Sequence, residues 1–148
     1  MGLDQYLYAT KYLKNPNTEY SAILETLNAN AFGDYHGFLE IQVASWRKSN
    51  QIHNWFVENC QDGTDECQRS NDISRAELEE LIDLCQQVTD NHSLAQELLP
   101  CQGGFFFGST EYDEWYFTDV ADTITKLRYV LDNTPDDNSW NFYYQSSW

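Results

Sequence analysis

Apolar and polar residues alternate in several short segments of the chain. The alternation over residues 3–8, with its β-prone tyrosines, predicts a first strand, and a less regular alternation predicts another over 35–43. Residues 103–108, GGFFFG, are too few and too aromatic for a helix, so we expect a buried strand there. An aromatic run over 140–144 predicts a fourth strand.

Helical spacing of apolar residues occupies the intervals between these strands. The predicted helices cover residues 20–27, 44–59, 93–99 and 118–131. The clearest helix start is the run from Ser74 to Glu77, a capping box that opens a helix with one apolar stripe. Strands interleaved with helices predict an α+β fold. We expect a single domain over 1–148, with a mixed or antiparallel sheet of about four strands and helices packed against it.

Charge is distributed unevenly along the chain. Residues 1–50 hold five acids and four bases, whereas residues 51–148 hold nineteen acids and four bases, and the formal net charge is −16. Such a field repels phosphates and attracts basic surfaces, so we expect no direct binding of nucleic acid. The acids either face a basic protein partner or serve only solubility. The predicted partner-facing acids are Glu77, Glu79, Glu80, Asp83, Glu111, Asp113 and Glu114.

The four cysteines and the hydropathy pattern favour a cytoplasmic protein. No CxxC pair is present, so we expect free thiols in a reducing compartment; a bridge between Cys60 and Cys67 would need an oxidising one. No apolar stretch approaches the roughly 18 residues that span a bilayer. The first residues lack the basic region of a signal peptide. We therefore predict no association with membranes.

The segment 45–57 concentrates aromatic and polar side chains. On one continuous helix, a single face would carry Val43, Trp46, Asn50, His53 and Val57. Arg47 and Lys48 would lie at the helix start, where cations cost about 0.3–1 kcal/mol. We predict that they hold an anionic group while a flat ring stacks on Trp46 or His53. Alternatively, the cations neutralise nearby acids, and Asn50 and His53 bond to backbone.

The segment 103–116, GGFFFGSTEYDEWY, is a second candidate. Its glycines allow close approach of backbone to a ligand, although no Walker A lysine follows them. To the predicted ligand site we therefore add Gly104, Phe106, Ser109 and Tyr112. The acids at 111–114 could bind a metal or act as a base, but solvated loop acids are the simpler interpretation, and we predict neither metal nor cofactor.

Support for catalysis is weak. The three histidines fall in no HExxH or Cys–His pattern, and no GxSxG elbow is present. We therefore predict no catalytic residues. A small hydrolase or transferase that uses His53 with an acid from 111–114 is kept as an alternative.

Three blocks, MGLDQYLY, WRKSNQIHNWFV and GFFFGSTEYDEWY, resemble a family of short phage and prophage proteins. Its members start with MGLD and carry WRK-x-N-x-IH-x-WF and GFFFGS-x-x-YDE motifs. The blocks cover about a quarter of the chain. The resemblance implies a phage protein inside a bacterial host, and it carries over no catalytic residue.

From this setting we expect a non-enzymatic counter-defence protein that acts by stoichiometric binding. In one version it is an acidic inhibitor of a host nucleic-acid-binding immune effector, in the manner of an anti-CRISPR protein. In the other it sequesters a nucleotide-like immune signal in the pocket of Trp46, Arg47, Lys48, Asn50 and His53. A passive assembly module and a homo-oligomer are further alternatives.

Overall fold

A computed structural model describes residues 2–13, 21–26 and 36–148 of the chain. The strands are β1 (Asp4–Leu13), β2 (Gly37–Arg47) and β3 (Asn141–Ser147). The helices are α1 (Ser21–Thr26), α2 (Asn50–Cys60), α3 (Arg75–Asp90), α4 (Ala95–Leu98) and α5 (Glu114–Asn133), with a 3₁₀ turn at His92–Leu94.

The strands form one antiparallel sheet in the order β2-β1-β3. The sheet and helices confirm the predicted α+β class. Pairing of β1 with β2 runs from Asp4 opposite Arg47 to Leu13 opposite Gly37, with a bulge at Leu7/Tyr8. Because both neighbours are antiparallel to it, the first residues of β1 lie beside the ends of β2 and β3.

Helices α2, α3 and α5 share one hydrophobic core with the sheet. The buried side chains that join them include Leu7, Phe56, Leu81, Leu127 and Tyr144. Helix α3 begins as predicted, because the Ser74 hydroxyl accepts from the Glu77 amide while the Glu77 carboxylate accepts from the Ser74 amide. Arg75 donates to the carbonyls of Leu131 and Thr134, so the start of α3 contacts the end of α5.

Two predicted elements are wrong. The helix expected over 44–59 begins only at Asn50, because residues 44–47 continue β2 and pair with β1. The strand expected over 103–108 is an irregular turn, in which Phe105 is exposed and Phe107 is buried. The sheet therefore has three described strands instead of four. Helix α5 also starts earlier than predicted, capped by Asp113.

The cysteines are free thiols, and Cys60 and Cys85 are buried in the core as small apolar side chains. This outcome agrees with the expected thiols and excludes a bridge between Cys60 and Cys67 in this structure. None of the helices among the described residues is long and apolar enough to cross a membrane.

Candidate functional site

A tight turn at residues 48–49 connects β2 to α2, and the first residues of the chain hold it. Lys48 has a left-handed φ of 58°, and its amide donates to the Leu3 carbonyl at 2.7 Å. The buried Gln5 side chain donates to the Ser49 carbonyl at 3.1 Å and accepts from the Ser49 amide at 3.0 Å. These bonds satisfy the turn's backbone groups and fix where the Lys48 side chain starts.

Asn50 connects the same turn to the irregular segment 102–109. Its side-chain amide donates to the Phe107 carbonyl at 3.1 Å and the Ser109 carbonyl at 2.8 Å. Its side-chain oxygen accepts from the Gln102 amide at 3.2 Å. The residue is 1% exposed, so its side-chain amide makes its hydrogen bonds inside the protein. Three stretches that are far apart in sequence therefore meet at one place.

Gly108 allows the 102–109 segment to pass close to the Lys48 side chain. Its φ is +89°, which L side chains rarely adopt, and a methyl group built on it would lie 3.2 Å from Lys48 Cβ. Gly2 approaches the other end of the same side chain, since a methyl there would lie 3.1 Å from Lys48 Cε. The lysine chain is thus packed between two glycines.

A groove of about 310 Å³ opens between the turn and the start of α5. One wall carries two cations, and the other carries backbone, acids and an indole. The lining residues are Arg47, Lys48, Gln51, Gly108, Ser109, Glu111, Asp113, Trp115, Tyr116 and Asp119. Trp115 is 79% exposed, so one face of its ring is open to a ligand.

The two cations are lightly engaged. The Arg47 guanidinium, largely exposed, lies 3.7 Å from a carboxylate oxygen of Asp4, a geometry that contributes little in water. No ion pair among the described residues involves Lys48. Both side chains are therefore available to an anion that enters the groove.

The acids on the opposite wall differ in their environments. Asp113 caps α5 by accepting from the Tyr116 amide at 3.1 Å. The Glu111 side chain is exposed. Burial raises the pKa of Asp119 above its ordinary value, and Lys126 partly opposes that shift. The groove thus presents one capping, one free and one partly desolvated carboxyl.

Trp46 and His53 lie elsewhere, which corrects the predicted shared face. Trp46 is on β2, 5% exposed, and its indole N–H donates to Thr123 Oγ1 at 2.9 Å. His53 is buried on α2. Its Nδ1 lies 2.7 Å from the Tyr144 hydroxyl and its Nε2 lies 2.9 Å from an Asp65 oxygen. Neither ring lines the groove. The two side chains share no face because the tight turn at 48–49 separates β2 from α2.

The Gly-rich residues divide between groove and scaffold. Ser109 lines the groove, whereas Gly104 lies under the Phe107 ring, which leaves no room for a side chain. The Phe106 carbonyl accepts from the Leu3 amide at 3.2 Å, and the Tyr112 hydroxyl accepts from the Cys101 amide at 3.2 Å. Gly104, Phe106 and Tyr112 therefore support the segment from outside the groove.

Five groove residues are absent from the predicted site, namely Gln51, Gly108, Trp115, Tyr116 and Asp119. Trp115 belongs to the aromatic segment 103–116. It lies one residue inside a capped helix and away from the apolar stripe, and this position was the signal that could have identified it. Its proximity to the β2–α2 turn depends on tertiary packing.

The predicted acidic face forms two groups. Glu79, Glu80 and Asp83 are exposed on α3, whereas Glu77 is occupied by the capping box. The second group, at 111–114, lies at the start of α5. The two groups therefore belong to different elements of the fold.

No group of three or more metal-ligating side chains occurs among residues 2–13, 21–26 and 36–148. The alternative pairing of His53 with an acid from 111–114 has no geometric support, since both ring nitrogens already have other partners. No protein-family model, curated protein or solved structure matches this chain.

Proposed function

We propose that this protein binds a nucleotide-like small molecule in the groove and sequesters it without turnover. The observation that carries the proposal is the convergence of Arg47 and Lys48 with the 108–109 backbone and Trp115 around one groove. Two of the three sequence blocks that resemble phage and prophage proteins, WRKSNQIHNWFV and GFFFGSTEYDEWY, supply every lining residue except Asp119, and the first block, MGLDQYLY, holds the turn at 48–49. The setting we propose is accordingly counter-defence in the cytoplasm of a bacterial host.

The groove offers the two contacts that a nucleotide needs. Arginine and lysine form charge-assisted hydrogen bonds with phosphate oxygens, and Lys48 has no competing ion pair among the described residues. The exposed Trp115 ring supplies a stacking platform for a base, the role that sequence alone had given to Trp46 or His53.

Isothermal titration calorimetry with a nucleotide panel tests the proposal. The panel contains AMP, ATP, 3′,5′-cyclic AMP and cyclic di-AMP, with their guanine counterparts. Lys48→Ala should weaken binding of the best member about tenfold or more, because a charge-assisted bond is lost. Arg128→Ala, which removes an exposed cation from α5, is the matched control and should bind normally. Absence of binding across the panel would refute the function.

A second candidate is stoichiometric inhibition of a basic, nucleic-acid-binding immune effector. Its support is the exposure of Glu79, Glu80 and Asp83, none of which takes part in an ion pair among the described residues. Unpaired carboxylates on one helix can attract a basic groove and speed association.

An RNA-guided nuclease is the probe for this candidate. Wild-type protein should compete with DNA for the nuclease in a gel-shift assay, and the triple variant Glu79→Gln, Glu80→Gln, Asp83→Asn should lose that competition. The control Glu66→Gln, Glu97→Gln, Asp132→Asn neutralises the same number of exposed acids outside α3. Equal competition by both variants would show that only overall charge matters and would reject a specific α3 surface.

A further inference from the structure

The charges around the groove limit how much negative charge a ligand can bring. Two cations face three carboxyl groups, those of Glu111, Asp113 and Asp119. Even with Asp119 partly desolvated and Asp113 turned towards the α5 amides, the balance does not favour a polyanion. A triphosphate would carry about four negative charges into this mixed field. A ligand with one negative charge can still pair with the cations and is repelled less by the three carboxyl groups than a polyanion is.

The size of the groove sets a second limit. Its volume of about 310 Å³ lies at the lower end of the roughly 300–1,000 Å³ that small-molecule pockets span. One nucleotide unit fits such a space, while a second unit would have to extend past the exposed Trp115 into solvent.

The acidic wall supplies the third constraint. A carboxylate is a pure acceptor and pairs well with hydroxyl donors, as acidic residues do with ribose hydroxyls in dinucleotide-binding folds. Glu111 is exposed, is in no ion pair among the described residues, and lines the same groove as Lys48 and Trp115. A sugar between a phosphate at the cations and a base at Trp115 would share the groove with this carboxylate.

We propose that the groove's ligand is a single ribonucleotide unit whose phosphate is a singly charged diester, recognised through its phosphate, its base and its ribose hydroxyl. The inference rests on the function proposed above and deepens it. The same chemistry occurs in a free 3′,5′-cyclic mononucleotide and in one unit of a cyclic dinucleotide.

Calorimetry with four probes tests the inference, in adenine and guanine forms: the 3′,5′-cyclic mononucleotide, its 2′-deoxy analogue, the triphosphate and the cyclic dinucleotide. We expect a diester probe to bind at least about tenfold more tightly than the triphosphate, and the 2′-deoxy analogue to lose about tenfold against its ribose parent. The tighter of the two diester probes identifies the source of the unit.

Glu111→Ala should reduce the preference for the ribose form to less than about twofold, whereas Glu114→Ala, outside the groove lining, should preserve it. Preferential binding of the triphosphate, or equal binding of ribose and deoxyribose forms, would overturn the inference and leave the proposed function standing. Failure of every probe to bind would overturn both.

Discussion

Replacing Asn50 by alanine tests whether this side chain holds the groove together. The substitution removes two donated bonds, to the carbonyls of Phe107 and Ser109, and one accepted bond, from the Gln102 amide. All three partners belong to the segment that forms the groove's far wall or leads into it. The perturbation is therefore one buried side chain whose polar contacts all connect α2 to 102–109.

The expected loss follows from the burial of these bonds. Each hydrogen bond contributes about 0.5–1.5 kcal/mol, and a buried carbonyl left without a donor costs about 1–3 kcal/mol. Water can reach the partly buried Ser109 carbonyl after truncation, but the Phe107 bond is buried. We expect Asn50→Ala to lower the free energy of unfolding by about 2–5 kcal/mol. A domain with about 5–15 kcal/mol of stability would still fold.

Urea denaturation followed by circular dichroism measures this loss. The matched control is Asn54→Ala, one turn further along α2, whose single bond to the Pro100 carbonyl is exposed and 3.4 Å long. The control should change stability by less than about 0.5 kcal/mol. Asn50→Asp, which keeps the acceptor but directs an oxygen at two carbonyls, should be at least as damaging as alanine. If Asn50→Ala lowers the free energy of unfolding no more than Asn54→Ala does, the Asn50 side chain is not what holds the 102–109 segment in place.

Three further predictions follow from local environments. Gly108→Ala should cost about 1–2 kcal/mol or more, because its φ is +89° and Lys48 blocks a methyl group, whereas Gly37→Ala, with open space around it, should be nearly neutral in the same urea assay. Burial raises the pKa of the Cys60 and Cys85 thiols to about 12. At pH 8, at most two of the four cysteines should therefore react with a disulfide reagent before the protein unfolds. Reaction of a third cysteine in the folded protein would contradict this packing. Burial also raises the pKa of Asp119, so its ionised form costs stability above the folded pKa and the cost disappears as pH falls below the unfolded value of about 3.9. Asp119→Asn should therefore gain more stability over wild type at pH 7 than at pH 4, and an equal gain at both pH values would contradict the burial of this carboxyl.

Elements governed by local chemistry were predictable from the sequence. The capping box at 74–77 fixes the start of α3 because both of its hydrogen bonds lie within four residues. Alternation over 3–8 identified β1, since one face of that strand is buried at Gln5, Leu7 and Ala9. The two cations of the groove were also found, because bases are rare in the first fifty residues.

Features that depend on distant contacts were not predictable. Trp46 looked helical with Asn50 and His53, but its place in β2 is decided by pairing with β1, some forty residues earlier. The 103–108 segment looked like a strand, yet its carbonyls bond to Leu3 and Asn50 instead of to a neighbouring strand. Since no local pattern records these partners, the sequence indicated a helix face shared by Trp46 and His53 that the structure does not contain.

Salt dependence separates the two candidate functions, because each places the decisive charges at a different distance. An acidic surface that attracts a basic protein acts across many exposed pairs, and screening with a Debye length of about 30 Å at 0.01 M and 8 Å at 0.15 M should cut its affinity steeply. A ligand in the groove meets Lys48 at contact distance, while the net charge of −16 repels it from further away. Salt weakens the distant repulsion more than the close attraction, so we expect nucleotide affinity to stay within about threefold between 0.01 and 0.15 M.

Calorimetry of the best nucleotide and gel-shift competition against the nuclease, run at the same two salt concentrations, provide the comparison. A nucleotide affinity that falls tenfold or more would mean that Lys48 and Arg47 act as diffuse surface charges and that the groove does not enclose its ligand.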